Sequence, residues 1–239
     1  RSDGKAQRVD PAQEPSEDDS ASGEVIAKCP WFGVGGFVRP GEWAGLRLTI
    51  KDSADKPREV LVRIGLPDPD GDKVLYEGRI TTNPGVALPL WQYLYLPSQF
   101  KQQDVLTVSC FAAVEEGKGT GGGFGAGRLL GTSRIRPRIV AARTEGLLAL
   151  VSSRRMGLEL YRGDGYSMQN QGLPTGHERV QIADALTPDT LPDRWFGLRQ
   201  FDVLVWNEPP PGALGSDKAQ AVREWVQRGG HLVVVLPRV

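Results

Sequence analysis

The chain has 239 residues, which is enough for one large domain or two ordinary ones, and we expect two. Lys plus Arg equals Asp plus Glu at 29 each, so no net charge draws the chain to nucleic acid or to an anionic membrane surface. No apolar stretch approaches the ~18 residues that cross a bilayer, so we expect membrane attachment only through segments absent from this chain.

Residues 1–23 contain almost no large apolar side chains and are rich in Asp, Glu, Ser and Pro. Such a composition cannot offset the conformational entropy lost on folding, so this stretch is predicted to be a disordered leader or linker. Because the chain opens at Arg1 without a start Met and stops at Val239 after an apolar run, we expect a segment of a longer protein.

Residues 24–143 show short runs in which apolar and polar side chains alternate between turn residues. Leu46, Leu48 and Ile50, for example, share one face of such a run. Alternation with frequent turns predicts an antiparallel, immunoglobulin-like (Ig-like) β-sandwich in which each sheet has one solvated face. The predicted strands are GEVIAKC, the run through Phe37 and Val38, WAGLRLTI, REVLVRIGL, KVLYEGRI, LWQYLYL, DVLTVSCFAAV and RLLGTSRI.

Three aromatic residues alternate along one predicted strand, Trp91, Tyr93 and Tyr95. Alternation places the three rings on the same face, where we expect them to form sandwich core or a rim patch. A glycan-binding sandwich that uses these rings is the alternative interpretation.

The two cysteines, Cys29 and Cys110, lie far apart and outside any CxxC spacing, which argues against metal binding. Two interpretations stay open. They are either two buried thiols or one disulfide within the sandwich, and the disulfide would imply an oxidising compartment.

After Arg143 the pattern changes to short, continuous apolar runs. Continuous runs are typical of strands buried on both faces, as in a parallel sheet covered by helices. Residues 144–239 are therefore predicted to form a parallel α/β unit of the flavodoxin-like or amidotransferase-like kind, incomplete because only four strands are visible. These runs are GLLALVS (146–152), VQIADAL (180–186), FDVLVWNE (201–208) and HLVVVLP (231–237).

A helix is predicted between the last two runs, which makes that region a βαβ crossover. Ser216 is the expected N-cap, Asp217 suits the positive end of the helix dipole, and Gly229-Gly230 ends the helix. A second helix is predicted over about 154–161. The apolar stripe of the first helix is expected to consist of Ala219, Val222, Trp225 and Val226.

Two motif-like stretches are predicted to be loops. EEGKGTGGGFGAGR (115–128) contains GxGxxG, but it lies between alternating strands and no helix follows, so a phosphate-binding loop is not expected. DPDGD (68–72) is similar to the start of a calcium loop, yet position twelve would be Arg79, which excludes an EF-hand. A tight hairpin is the preferred interpretation, with a looser Ca²⁺ site as the alternative.

Groups suited to catalysis are sparse. The chain has no GxSxG elbow, and its two histidines, His177 and His231, are expected in a polar turn and at a strand edge. A carboxylate pair for acid-base chemistry stays open, because the acids of the α/β part include a crowded group: Asp184, Asp189, Asp193, Asp202 and Glu208.

The stretch LPDRWFGLRQFDVLVWNEPPPGALGSDKAQAVREWVQRGGHLVVVLP (191–237) resembles the central part of class I glutamine amidotransferase-like domains, and the resemblance covers about the last ninety residues. More narrowly, it is similar to degenerate versions in uncharacterised bacterial envelope proteins, where an acidic-capped helix with WV..GG and an apolar strand recur. The same pattern also resembles auxiliary extracytoplasmic domains of some ABC transport and gliding systems.

Active members of that family carry a Gly-x-Cys-x-Gly elbow after this strand, whereas this chain reads VVVLPRV there. The resemblance therefore implies a pseudoenzyme without cofactor or metal, acting as a protein-interaction or scaffolding module at the bacterial cell envelope, in a periplasmic or extracytoplasmic location. The alternative is a hydrolase whose missing residues lie beyond Val239. If a ligand site exists, we expect it at the carboxyl ends of the parallel strands, near Ser152, Asn207, Glu208 and Pro237.

Overall fold

The computed structural model shows a β-rich, multi-domain fold with two antiparallel sheets, a four-stranded parallel sheet and a short parallel pair. The structure describes residues 22–68, 70–115, 124–141, 144–154, 156–158, 179–208 and 210–236. The strands are β1 (Ser22–Gly23), β2 (Val25–Phe32), β3 (Phe37–Val38), β4 (Trp43–Asp52), β5 (Arg58–Pro67), β6 (Lys73–Thr82), β7 (Ala87–Tyr95), β8 (Leu106–Glu115), β9 (Phe124–Ile135), β10 (Ile139–Val140), β11 (Glu145–Val151), β12 (Arg179–Leu186), β13 (Val203–Asn207) and β14 (His231–Val235).

The two antiparallel sheets have the strand orders β1-β9-β8-β5-β6 and β2-β4-β7 and enclose one apolar core. Leu46, Leu48 and Ile50 of β4 are fully buried, so the face predicted from their period-two spacing is confirmed. Burying a side chain of this kind contributes about 1.5–3 kcal/mol, so each of the alternating positions stabilises this module. All eight predicted strands are present, while the two-residue strands β1 and β10 were not predicted.

The parallel sheet has the strand order β12-β11-β13-β14. Central strand β11 has buried residues on both faces, as its continuous apolar run predicted: Leu147 and Ala149 lie on one side and Leu150 on the other. Helix α1 (Gly215–Gln227) connects β13 to β14 and packs Val222 and Trp225 on the first side. The predicted parallel crossover is therefore confirmed. Among the described residues, 3-10 turns at Pro188–Thr190, Trp195–Leu198 and Pro211–Leu214 lie in the connections.

The prediction of burial on both faces is wrong for β14. Leu232, Val233 and Val234 are 37%, 48% and 50% exposed, because β14 is the outermost strand of the described sheet. A continuous apolar run does not distinguish a central strand from an edge strand.

Two features of helix α1 differ from the prediction. The helix α1 begins at Gly215 with Leu214 as N-cap, so Ser216 lies inside the helix instead of capping it. Ala221, not Ala219, joins the buried stripe, and Val226 is 40% exposed. The helix ends as predicted, with Gly229 at φ +98°, a conformation that glycine tolerates.

Half of the second predicted helix, about 154–161, lies outside the described residues, and its described half forms no α-helix. The prediction of a disordered leader is wrong for Ser22 and Gly23, which form β1 and pair with β9. Residues 1–21 lie outside the described part of the chain. No helix among the described residues is long and apolar enough to cross a membrane.

The core of the parallel sheet includes residues from the predicted sandwich range. Val34 and Phe37 precede β4 in the chain, yet they pack in the same apolar cluster as Leu147 and Leu204. Gln200, which is fully buried, lies 3.1 Å from both Phe37 O and Val34 N, so its amide nitrogen donates to the first and its oxygen accepts from the second. Residues on both sides of the predicted boundary at residue 143 therefore belong to one apolar cluster.

Candidate functional site at the carboxyl ends of the parallel strands

The carboxyl ends of β11 and β13 lie side by side, because the two strands pair in parallel with Val151 opposite Trp206. The chain leaves β11 for β12 on one side, whereas β13 continues to β14 on the other. In open α/β sheets this divergence leaves a crevice in which ligands bind. The residues that follow the two strands are therefore candidates for a ligand site.

Ser152 and Asn207 meet at this end of the sheet, where the sequence analysis placed them. The Asn207 amide Nδ2 donates to Ser152 Oγ at 2.9 Å, and the backbone N–H of Arg154 donates to the same oxygen at 3.1 Å. Ser152 is only 5% exposed. Its hydroxyl therefore fixes the turn after β11 to the end of β13.

Glu208 also reaches this cluster. Ser153 Oγ donates to Glu208 Oε2, and the guanidinium Nε of Arg154 lies 3.5 Å from Glu208 Oε1. The Glu208 backbone has φ +73°, a left-handed conformation that costs a non-glycine residue about 1–3 kcal/mol. The Arg154 side chain is 81% exposed, so its ion pair with Glu208 is a weak, solvated one.

The structure thus brings three of the four predicted site residues together and adds Ser153 and Arg154. The fourth, Pro237, lies outside the described residues. The two additions follow Ser152 directly, and a polar pair immediately after a buried strand was the signal that could have indicated them. The cluster combines one carboxylate, one exposed guanidinium and two hydroxyls, which suits a small polar ligand with both donors and acceptors.

The other four candidate acids, all of them within the described residues, do not form a pair with Glu208. Asp202 precedes β13 and Glu208 follows it, so the two carboxylates lie at opposite ends of one strand. Asp193 binds Tyr93 and Asp189 lies 3.8 Å from Lys218 Nζ, whereas Asp184 is half-buried within β12. Among the described residues no three His, Cys, Asp or Glu side chains could together hold a metal ion.

Two of the remaining motif-like stretches have a described turn or hairpin pairing. Asp68 Oδ1 accepts from the backbone N–H groups of Asp70 and Asp72, and Gly71 has φ +93°, which makes DPDGD the tight turn that was predicted. The flanks of the Gly-rich stretch pair as a hairpin, with Glu115 opposite Phe124, while residues 116–123 lie outside the described part. His177 also lies outside the described residues.

His231 begins β14, as predicted, and is exposed. Its Nδ1 lies 3.3 Å from Asp202 O, at the amino end of the sheet. His231 thus lies at the opposite end of the strands from Ser152 and Glu208, because β13 and β14 pair in parallel.

The aromatic residues of β7 lie at the junction of the two modules, a position that the sequence did not reveal. The Tyr93 ring contacts Phe196 edge-on, with 4.9 Å between centroids, and its hydroxyl donates to Asp193 Oδ1 at 2.6 Å. Burial, with the neighbouring Asp193 carboxylate, raises the pKa of Tyr93. Trp91 stacks on Tyr93 at 5.9 Å. The ring and the hydroxyl of Tyr93 therefore already make contacts within the protein, which weakens the alternative of a glycan-binding platform.

A second polar contact joins the two modules at the start of the parallel strands. Arg39 donates from Nη1 and Nη2 to the two carboxylate oxygens of Asp202 at 3.2 and 2.9 Å, and Nη2 also donates to Glu145 O. The Asp202 carboxylate in turn accepts from the backbone N–H of Leu147 at 2.7 Å. The bidentate pair therefore fixes the start of β11 and β13 to the sandwich.

The cysteines are both buried thiols, so the disulfide interpretation is wrong for this structure. Burial, with a smaller effect of Asp52, raises the pKa of Cys110 to about 12. A thiol with such a pKa is almost entirely protonated at neutral pH and is a poor nucleophile.

No family model matches this chain, and no curated protein matches it. Among solved structures, the alkylpurine DNA glycosylase AlkC of Pseudomonas fluorescens, bound to DNA with an abasic site analogue, aligns with 13% identity and a TM-score of 0.26 over 44% of this chain and 31% of its own. A cycloisomaltooligosaccharide glucanotransferase of Paenibacillus, complexed with cycloisomaltoheptaose, aligns with 11% identity and a TM-score of 0.29 over 90% of this chain and 28% of its own. This chain spans less than a third of either protein, and TM-scores this low support no conclusion about fold or activity.

Proposed function

We propose that this chain is a non-catalytic protein-interaction or scaffolding module of a bacterial cell-envelope protein. Its two parts would be an Ig-like β-sandwich and a flavodoxin-like α/β unit of the amidotransferase kind that lacks the nucleophile. Two antiparallel sheets around one core support the first assignment. Numbered along the chain, the parallel strands have the order 2-1-3-4, the start of the flavodoxin-like order, which supports the second. The envelope location rests on the sequence resemblance.

The observation that carries the interaction role is the edge formed by β14. This strand exposes Leu232 and Val234 on one face and Val233 on the other, and no described strand pairs with its outer side. An exposed, apolar, unpaired edge strand is a surface on which another polypeptide strand can pair. The polar contacts Tyr93–Asp193 and Arg39–Asp202 hold the sandwich and this sheet together, as a scaffold requires.

A photo-crosslinking experiment tests this role. Val233 is 48% exposed and is replaced with p-benzoylphenylalanine, while Val86, 46% exposed in the sandwich, receives the same residue as the matched control. After irradiation in envelope fractions of an expressing bacterium, we expect polypeptide adducts from position 233 well above those from position 86. Equal yields from the two positions would contradict the proposal.

A second candidate function is favoured by the left-handed backbone of Glu208, because backbone strain of this kind clusters at ligand sites. In this reading the crevice with Ser152 and Asn207 binds a small polar ligand. L-Glutamine is the probe to which the amidotransferase resemblance points. Thermal stabilisation of the chain by L-glutamine that is lost in Glu208→Gln would support this candidate. Release of ammonia from L-glutamine would instead support the hydrolase alternative.

A further inference from the structure

The outer face of the three-stranded sheet β2-β4-β7 is basic and aromatic. Leu46, Leu48 and Ile50 point into the core, so the residues between them on β4 point outward. All residues of these three strands are described, and the single acid among them, Asp52, is buried. The cations on the outer face are Lys28, Arg47 and Lys51. Because the whole chain has no net charge, this face is a local concentration of positive charge.

Arg47 lies between two tryptophans in the middle of this face. In the strand register it is opposite Trp31 of β2 on one side and Trp91 of β7 on the other. Neighbouring strands are about 4.8 Å apart, so the two indole side chains bracket the arginine across about 10 Å. The three residues are partly exposed, and Arg47 makes no ion pair or hydrogen bond in the part of the chain that the structure describes. Its guanidinium therefore keeps its N–H donors for a ligand.

The α/β unit covers one end of the face and leaves the row of Arg47 open. Phe196 packs against Tyr93 at that end, and Trp91 stacks on the same tyrosine ring with 5.9 Å between centroids. A ring that is held in place before a ligand arrives loses less conformational entropy on binding. Since Tyr93 is covered, the rings available to a ligand in this row are Trp31 and Trp91.

Two acids of the α/β unit border this face, and neither forms an ion pair with Arg47. Asp193 accepts the hydrogen bond of the Tyr93 hydroxyl, and Asp189 Oδ1 lies 3.8 Å from Lys218 Nζ. Burial lowers the pKa of Lys218, and repulsion by the Arg47 guanidinium adds to this effect while Asp189 opposes it. Lys218 is therefore a further cation near the open row.

We infer that this face binds an acidic polysaccharide in which charged and neutral sugars alternate. A sugar carboxylate accepts from the Arg47 guanidinium, whose planar fork matches a carboxylate. The sugars before and after it lie on Trp31 and Trp91, whose flat apolar rings suit the C–H face of a pyranose. A separation of about 10 Å between the two tryptophans fits the length of a disaccharide repeat. The site is separate from β14 and from the Glu208 cluster, so the inference goes beyond the proposed interaction role.

A nucleic acid also offers rings and negative charges, but the arrangement of cations argues against it. Affinity for nucleic acid comes mainly from neutralising successive phosphates with many Lys and Arg side chains. Here the two rings are separated by one cation, Arg47, in a chain without net charge. One charge between two apolar rings corresponds to one acidic sugar between two neutral ones.

Isothermal titration of the whole chain with hyaluronate oligosaccharides, which alternate glucuronate and N-acetylglucosamine, tests the inference. We expect binding that weakens as NaCl is raised. The same oligosaccharides with methyl-esterified, uncharged carboxylates should bind at least about tenfold more weakly. Absence of binding, equal affinity for the charged and esterified forms, or tighter binding of oligothymidylate or poly-L-glutamate would each overturn the inference.

Variants locate the site. Arg47→Gln should weaken binding by at least about tenfold. The matched control is Arg63→Gln on the other sheet, where the guanidinium lies 5.2 Å from the centre of the Phe111 ring but pairs with Glu77 at 2.6 Å, and we expect unchanged binding.

Lys28→Gln covers the case in which Arg47→Gln does not fold, because Lys28 is exposed. It should bind about two- to threefold more weakly, as expected for a charge at the edge of the site. Wild-type affinity in folded Arg47→Gln or in Lys28→Gln would overturn the inference. None of these outcomes affects the crosslinking test at Val233, so this site and the proposed interaction role can fail separately.

Discussion

The phenolic hydroxyl of Tyr93 and the carboxylate of Asp193, one hundred residues apart, form a reciprocal contact across the module junction. The hydroxyl donates to Asp193 Oδ1 at 2.6 Å and accepts from the Asp193 backbone N–H at 3.0 Å. Phe196 packs edge-on against the same ring, and Gly197 is required beside it because a Cβ there would lie 2.7 Å from Tyr93 Cε1. The Tyr93 side chain is therefore at the centre of the junction.

Replacing Tyr93 with Phe should destabilise the protein by about 1.5–3 kcal/mol, because a half-buried carboxylate and an N–H lose their partner. The difference in unfolding free energy between the wild type and Tyr93→Phe should shrink as the pH rises above 10. Since the pKa of Tyr93 is raised in the folded state, its contribution is fully present below the unfolded pKa and is lost as the phenol ionises in the unfolded chain. Urea unfolding of both proteins between pH 7 and 11 measures this.

The control for this prediction is Tyr95→Phe, two residues away on the same strand face. Its ring packs against Trp43, and its hydroxyl has no hydrogen bond within the described part of the chain. We expect a change within about 0.5 kcal/mol and no special alkaline behaviour. An equal loss in both variants would mean that the Asp193 contact contributes nothing beyond ring packing.

Removing the Arg39 side chain should destabilise the junction more than removing an exposed arginine. In Arg39→Ala, the Asp202 carboxylate and Glu145 O lose their guanidinium partner, and the Arg39 side chain is only 13% exposed. We expect the free energy of unfolding to fall by about 2–4 kcal/mol. Arg199→Ala removes a 52% exposed pair with Glu42 and should cost less than about 1 kcal/mol. Denaturant unfolding monitored by Trp fluorescence compares the two. Equal losses of stability in the two variants would show that apolar packing alone holds the junction together.

Asp52 makes the stability of the sandwich sensitive to acid. Burial by itself would raise the pKa of Asp52, but hydrogen bonds from Arg58, the Ala54 N–H and Thr82 Oγ1 outweigh it and lower the pKa to about 2. Because the folded pKa is depressed below 3.8, the contribution is present above pH 4 and is lost as the pH falls from about 4 to 2. It amounts to about 2 kcal/mol.

Asp52→Asn should therefore be less stable than wild type at pH 6, and the gap should narrow from pH 4 to pH 2. Urea midpoints across this range give the measurement. Glu24→Gln is the comparison, since that carboxylate pairs with Arg58 and Arg128 at the surface, and it should change the profile little. A wild-type curve parallel to that of Asp52→Asn would show that Asp52 does not titrate in this window.

The sequence predicted what depends on local periodicity and on general rules for sheets. Alternation located the sandwich strands, and continuous runs located the parallel ones. Ser152, Asn207 and Glu208 were placed together because the carboxyl ends of adjacent parallel strands meet at one edge. No such rule connects Tyr93 to Asp193 or Arg39 to Asp202, since those pairs arise from the docking of two modules. The exposure of β14 was missed for a related reason, because the position of a strand in its sheet is a tertiary property.

The strain at Glu208 can be separated from its side-chain contacts by two substitutions at that position. Glu208→Ala and Glu208→Gly both remove the contacts to Ser153 and Arg154, but only glycine adopts φ +73° without a Cβ penalty. Its greater freedom in the unfolded chain offsets part of this gain. We therefore expect Glu208→Gly to be more stable than Glu208→Ala by up to about 1 kcal/mol in thermal and urea unfolding. If alanine is equally stable, the turn relaxes without glutamate, which would mean that the left-handed backbone is imposed by the side-chain contacts of Glu208 and not by the chain around it.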